Sequence, residues 1–387
     1  MKIAVSTLAF CVTSLLVLGL VMLYSSSMVM VDLTDKHTHS LVGAKMLKSQ
    51  LLWCGMAVVA CVAMASMDYT VLKKFAVPIF ILTLVLAGLV FVPHLGLRLN
   101  GARRWIRMPG ATFQPSEIVK LGLIISVAWY GERSQRKMRT FFRGLIVPGL
   151  IIGSALGLVF IEPDRGTTIL MAADTGTMLL MAGVRWWHML LVGACALALL
   201  IVSILHDPMR LNRIMAYLHP EAHLSGAALQ AEEAKKAIGA GGLTGVGLGN
   251  GLQKNGFVPE IQSDFIFANI GEELGLVATL FVVAAFFLIA ACGFQIARQA
   301  KDQFGCLLAI GITSLISYQA LINMGVVTSL LPNKGLALPF ISAGGSSLLA
   351  MLTGVGILIS IARHASPAKI SATEFAPDVN PFAAKAA

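Results

Sequence analysis

Ionisable side chains are scarce in this sequence, and those set among leucines call for a reason. Of 387 residues, 57% are hydrophobic and 12% charged, so a carboxylate or a cation inside an apolar run is costly unless it is paired or put to use. Glu117 with Lys120, Asp174, and Glu272 with Glu273 are such residues. Glu117 and Lys120 stand one helical turn apart and can neutralise each other, which leaves a structural ion pair and a substrate contact both open. Asp174 has no partner near in sequence, and a packing role competes with pairing to a cation on another helix. Asp264 differs, because Ser263 and Asp264 precede a run through Phe265, Ile266 and Phe267. Aspartate there suits a helix N-cap; a carboxylate lodged between apolar neighbours at the membrane surface also suits a general base.

The elements that must position these groups are membrane helices. Charge-poor runs long enough to cross the hydrocarbon core lie near Leu8–Met28, Leu51–Met67, Phe75–Val92, Phe113–Tyr130, Gly144–Ile161, Gly166–Gly183, Trp186–Leu205, Leu274–Ile296, Phe304–Val327 and Ala343–Ile361. The alternation of a membrane β-barrel is absent, so the expected fold class is all-α, a polytopic bundle of about ten spans. The first run follows Lys2 and resembles a signal peptide, but without a convincing cleavage site it reads as an uncleaved span.

With the N-terminus inside, Lys73, Lys74, Arg133, Arg136, Lys137, Arg139, Arg143, Arg185, Arg298, Lys301 and Arg363 all fall on the cytoplasmic side, as the positive-inside rule requires. Both termini are then cytoplasmic. Arg98, Arg103, Arg104 and Arg107 after the third span, and Lys334 after the ninth, lie outside against that bias. They either snorkel at headgroup level or hold an anionic headgroup such as a lipid pyrophosphate.

One outer loop, about residues 206–273, is large enough to fold over the membrane. Its interior predicts an amphipathic helix over Glu221–Ala240 with Glu232, Glu233, Lys235 and Lys236, running into Gly239, Gly241, Gly242, Gly245, Gly247, Gly249 and Gly251. The glycine spacing fits neither phosphate-binding fingerprint, so nucleotide binding is not expected. The six cysteines stand singly in or beside apolar runs, as small core hydrophobes do. Residues 1–366 read as one membrane domain and 367–387 as a disordered cytoplasmic tail.

Longer motifs make the chain recognisable. They are Asn100-Gly-Ala-Arg-Arg-Trp-Ile106, Gln114-Pro-Ser-Glu-Ile-Val-Lys120, Glu162-Pro-Asp-Arg-Gly-Thr167, Ser263-Asp-Phe-Ile-Phe-Ala268 with Gly271-Glu-Glu-Leu-Gly275, and Leu331-Pro-Asn-Lys-Gly335 with Leu338-Pro-Phe-Ile-Ser-Ala-Gly-Gly-Ser-Ser347. In this order and on these sides of the membrane the chain resembles the SEDS family (shape, elongation, division and sporulation) over almost its whole length. Lys334-Gly335 is similar to the division and sporulation branches. Arg165, Asn333, Ala343 and the pair Gln262-Ser263 depart from the family's usual leucine, threonine, tyrosine and His-Thr.

The resemblance implies a peptidoglycan glycosyltransferase of septal wall synthesis that joins the disaccharide of one lipid II to another with inversion, undecaprenyl pyrophosphate leaving. Asp264 matches the family's essential aspartate and would be the base. Arg103, Arg104, Trp105, Glu117, Lys120, Lys334, Ser342, Gly344, Gly345 and Ser346 would contact substrate. Magnesium or manganese would ride on the substrate phosphates and one carboxylate, no dedicated metal site being visible. The implied partners are a class B penicillin-binding protein and divisome regulators, and the implied location is the bacterial inner membrane. A lipid II flippase or other transporter needs a polar path, for which Asp174, Glu117 and Lys120 are suggestive; a non-catalytic scaffold needs no aspartate at 264.

Overall fold

The computed structural model describes residues 1–29, 39–93, 95–99, 102–108, 111–206, 227–252, 262–332 and 335–365. Lys334, Asn333 and the tail lie outside the described residues, as does the start of the helix expected in the large loop. Every expected span coincides with a helix. These are α1 (Lys2–Val29), α2 (His39–Ser66), α3 (Thr70–Lys74) with α4 (Ala76–Gly88), α5 (Pro115–Arg133), α6 (Val147–Ile161), α7 (Arg165–Met181), α8 (Trp186–Leu205), α9 (Ala227–Gly241), α10 (Ile266–Arg298), α11 (Gln303–Val327) and α12 (Gly345–Arg363). Of these, α9 belongs to the large loop and the rest form the spans. Six helices among the described residues are long and apolar enough to cross a membrane; α7 is shorter, at 17 residues, and α5 carries Glu117, Lys120, Glu132 and Arg133.

Local chemistry sets the helix starts. Pro115 occupies the first turn of α5, where its missing N–H costs nothing. Asp164 caps α7 by accepting from Thr167 N at 3.2 Å, and Asp302 caps α11 by accepting from Gly305 N at 3.0 Å. The core is built on α11 and α12, most of whose surface is buried; α11 packs on α5, α7 and α10, and α12 on α2. Glycines permit this: Gly345 lies directly under the Trp53 ring and Gly356 against the backbone of Cys61. On the inner side Ser360 Oγ donates to Met67 O at 2.6 Å and accepts from Tyr69 N, while the Tyr69 hydroxyl donates to Asp302 Oδ1 at 2.8 Å.

Three expectations need correcting. The outer segment carrying the arginines is a three-stranded antiparallel sheet, β1 (Gly96–Leu99), β2 (Ala102–Met108) and β3 (Ala111–Phe113), with Leu97 opposite Trp105 and Ile106 opposite Phe113. These strands are too short for a period-2 signal to stand out. The helix of the large loop is described only over Ala227–Gly241, ending one residue later than expected. The eighth span begins at Ile266 rather than Leu274, and it breaks at Gly275, whose φ of 76° and ψ of −168° no other residue adopts readily. At about 1.5 Å per residue the part after the break, Leu276 to Arg298, spans roughly 34 Å, close to a hydrocarbon core of about 30 Å, so the part before Gly275 stands above that core.

Candidate active site at the outer face

Asp264 lies in the turn that leads into α10. The N-cap position is Phe265, which makes no side-chain cap hydrogen bond, so Asp264 stands one residue before the cap. Its backbone is held from α11. Asn323 Nδ2 donates to Asp264 O at 2.8 Å and to Leu336 O at 2.6 Å, joining the Asp264 turn to the loop before α12. Ala343 N donates to Gln262 O at 3.0 Å, a second stitch between the same segments. Gly335 completes the contact: a Cβ there would stand 2.5 Å from Asp264 Oδ2, so only glycine lets the loop pass this close to the carboxylate.

The loop is braced from α5 and α11. Lys120 Nζ pairs with Glu117 at 2.8 Å and donates to Gln319 Oε1 at 2.9 Å, and Gln319 Nε2 donates to Ala337 O at 2.8 Å. The Lys120 side chain is fully buried. Lys120 and Glu117 were expected to contact substrate; the structure makes them a strut under the loop, since an unpaired charge at that depth would be costly. Ser342 accepts from Leu338 N at 2.8 Å, fixing the loop's turn. Gly345 is covered by Trp53 and Ser346 is buried, so these two support the loop from behind, while Gly344 provides the extended N-cap of α12.

A second polar group flanks the first. Asp164 Oδ2 accepts from Gln114 Nε2 at 2.9 Å and from Thr167 Oγ1 at 3.0 Å, while Arg104 stands 3.8 Å from Oδ1. It is tied to the loop through Gly166, where a Cβ would lie 3.3 Å from Leu336 Cγ. The pleat of β2 turns Arg103 and Trp105 to the face opposite Arg104, so of these only Arg104 joins the group. Glu162, at the outer end of α6, is wholly buried, and both its oxygens lack a hydrogen-bond partner among the described residues. Burial above all, then the neighbouring Asp164 charge, pushes its carboxyl up to about 8, against a lowering by Arg104.

The remaining intramembrane carboxylates are spoken for. Asp174 accepts from Ser314 Oγ at 2.5 Å, a hydroxyl on α11 and not the cation considered from sequence. Glu272 and Glu273 hold the Gly-rich segment: Leu252 N donates to Glu272 Oε1 at 2.7 Å, and Gly249 N and Ser25 Oγ donate to Glu273 Oε2 at 3.1 and 2.6 Å. Gln319 and Asn323, which carry the site's architecture, were not singled out from sequence; two amides four residues apart in an apolar span were the available signal. Among the described residues no three potential metal ligands come together.

A helix bundle of membrane dimensions, with one polar group of residues gathered at one of its ends, defines a multi-pass integral membrane protein. The chain belongs to the FtsW/RodA/SpoVE family, whose model, described as "Cell cycle protein", matches residues 6–367. It is 40% identical over 350 residues to "Probable peptidoglycan glycosyltransferase FtsW" of Trichlorobacter lovleyi, covering 90% of this chain and 91% of that one. It is 37% identical to "Stage V sporulation protein E" of Bacillus subtilis, over 90% of this chain and 94% of the relative. Among solved structures, a chain from "Structural coordination of polymerization and crosslinking by a peptidoglycan synthase complex" superposes with a TM-score of 0.74 at 26% identity, covering 92% of this chain and 96% of its own. Rod shape determining protein RodA of Thermus thermophilus superposes with a TM-score of 0.67 at 26% identity, covering 93% and 97%.

Proposed function

We propose that this protein is a peptidoglycan glycosyltransferase that polymerises lipid II on the outer face of the inner membrane during septal wall synthesis. The observation that carries the reading is Asp264, a carboxylate whose turn is fixed to the facing loop by Asn323 and which that loop approaches closely at Gly335. As base it would take the proton from the attacking 4-hydroxyl while the new glycosidic bond forms on the face opposite the breaking bond to pyrophosphate, which inverts the anomeric carbon. Arg104 and Lys334, outside against the positive-inside bias, would stabilise the charge that develops on the departing pyrophosphate. A divalent ion, where present, would take most of its ligands from substrate phosphates. Both termini would be cytoplasmic, and the partners would be a class B penicillin-binding protein and division regulators.

The test is glycan-ladder formation from lipid II by purified protein with its cognate cross-linking partner. Asp264→Asn keeps the shape but cannot take a proton, so activity should fall on the order of 10²-fold or more with an unchanged melting temperature. Full activity in a folded Asp264→Asn protein would remove Asp264 from the role of base, whereas absence of ladders from the native protein with its partner would return the chain to a transporter or scaffold reading.

A further inference from the structure

We propose that the Gly-rich segment 242–252 is an interfacial membrane anchor, seated in the outer leaflet beside α10 with its leucines in lipid. Its depth follows from α10. From Val277 to Arg298 is 21 steps of about 1.5 Å, roughly 31 Å, the thickness of a hydrocarbon core of about 30 Å. Val277 therefore stands at the outer boundary of that core when Arg298 stands at the inner one. The segment is fixed at this level, because Leu276 N donates to Gly242 O at 2.9 Å and Val277 N to Leu243 O at 3.4 Å. The α10 break at Gly275 makes the approach possible: a Cβ there would collide with the backbone of Leu243 and Gly245.

The side chains of the segment continue a lipid-facing surface. Leu243, Val246, Leu248 and Leu252 are exposed, and so are Leu276, Val277 and Leu280 on α10. Its backbone is prepared for a dry neighbour. Gly245 N donates to Gly241 O, Val246 N to Glu272 O, Gly247 N to Glu273 O and Asn250 N to Gly247 O, and the carboxylates of Glu272 and Glu273 accept from Leu252 N and Gly249 N. An irregular segment in water has no need of two buried carboxylates for its amides; one at the edge of hydrocarbon does, since lipid offers no replacement partner. Leucines turned outward over a backbone with these amides engaged are what an interfacial anchor requires. The occupant is the bilayer itself, and the inference holds whatever reaction the site performs.

The test uses full-length protein with its native cysteines replaced, one copy per nanodisc, carrying an environment-sensitive NBD label at Leu248→Cys or, as the aqueous control, at Lys236→Cys. The expected result is blue-shifted emission from the Leu248 label, quenched several-fold more by doxyl-labelled phospholipid and several-fold less by iodide than the Lys236 label. Equal iodide quenching at the two positions, with no response to doxyl lipid at Leu248, would overturn the anchor. Repeating the measurement at Leu243→Cys and Leu252→Cys keeps the test decisive if the label at 248 disturbs folding.

Discussion

Asn323 gives both amide hydrogens to carbonyls of two different segments, so its loss should loosen the base without touching it. Asn323→Leu keeps the volume and leaves two buried carbonyls unpaired, at about 1–3 kcal/mol for each unsatisfied group. The expected outcome is a lower melting temperature and a fall in kcat larger than any rise in KM, measured on the folded fraction by lipid II polymerisation; an unchanged kcat would exclude a positioning role. Arg104 makes a different demand. If its planar guanidinium grips a phosphate in two-pronged fashion, Arg104→Lys should be poorly tolerated although the charge is kept, and wild-type ladders from the lysine variant would refute that grip. Glu162 offers a pH test. Its ordinary value of 4.5 is raised to about 8 in the fold, so the folded protein binds a proton that the unfolded chain has released. Stability should accordingly be fully present below about pH 4.5 and decline as pH rises toward about 8. Glu162→Gln should flatten that decline in a series of thermal melts.

At the scale of elements, the break in α10 is a test of geometry. Gly275→Ala places a Cβ on a backbone conformation reserved for glycine and against the Gly-rich segment, which should cost about 1–3 kcal/mol for the strained backbone alone. Thermal melts in nanodiscs should show it, and proteolysis should come earlier within 242–252. The spans were legible because a long apolar run is a statement about composition, which needs no knowledge of neighbours. Asp264, Arg104 and the motif around Asp164 were legible through their resemblance to a family. What escaped depended on chain reversal. The sheet over 96–113 is made by pairing across turns, Gln319 and Asn323 carry no charge to announce them, and nothing near Glu272 or Glu273 shows that a segment 20 and 24 residues earlier returns to take their oxygens. The bracing role of Lys120 escaped for the same reason, its second partner Gln319 lying 199 residues away.

For the molecule as a whole, the arrangement of inner and outer faces predicts that the loop holding Arg133 to Arg143 is cytoplasmic and the segment Gly239 to Gly251 is outside. A cysteine at position 136 in a cysteine-free background should stay unlabelled by an impermeant thiol reagent in intact spheroplasts, whereas one at position 236, on the helix that leads into that segment, should react. Labelling at 136 would invert the topology and remove the outer site with it.

The inner-face bonds from Ser360 to Met67 and Tyr69, between residues 293 and 291 apart in the chain, carry a consequence for biogenesis. Helix α2 enters the membrane early, yet the helix that covers Trp53 and Cys61 leaves the ribosome nearly 300 residues later. Throughout synthesis of the intervening spans α2 must therefore wait with that face against lipid or an insertion factor. The outer site cannot be assembled before the final helix arrives, because the loop that Asn323 holds leads directly into it. A nascent chain that stops short of α12 would lack both the seal on α2 and the wall beside Asp264, so closure of α2 and competence of the site are set by the same packing event.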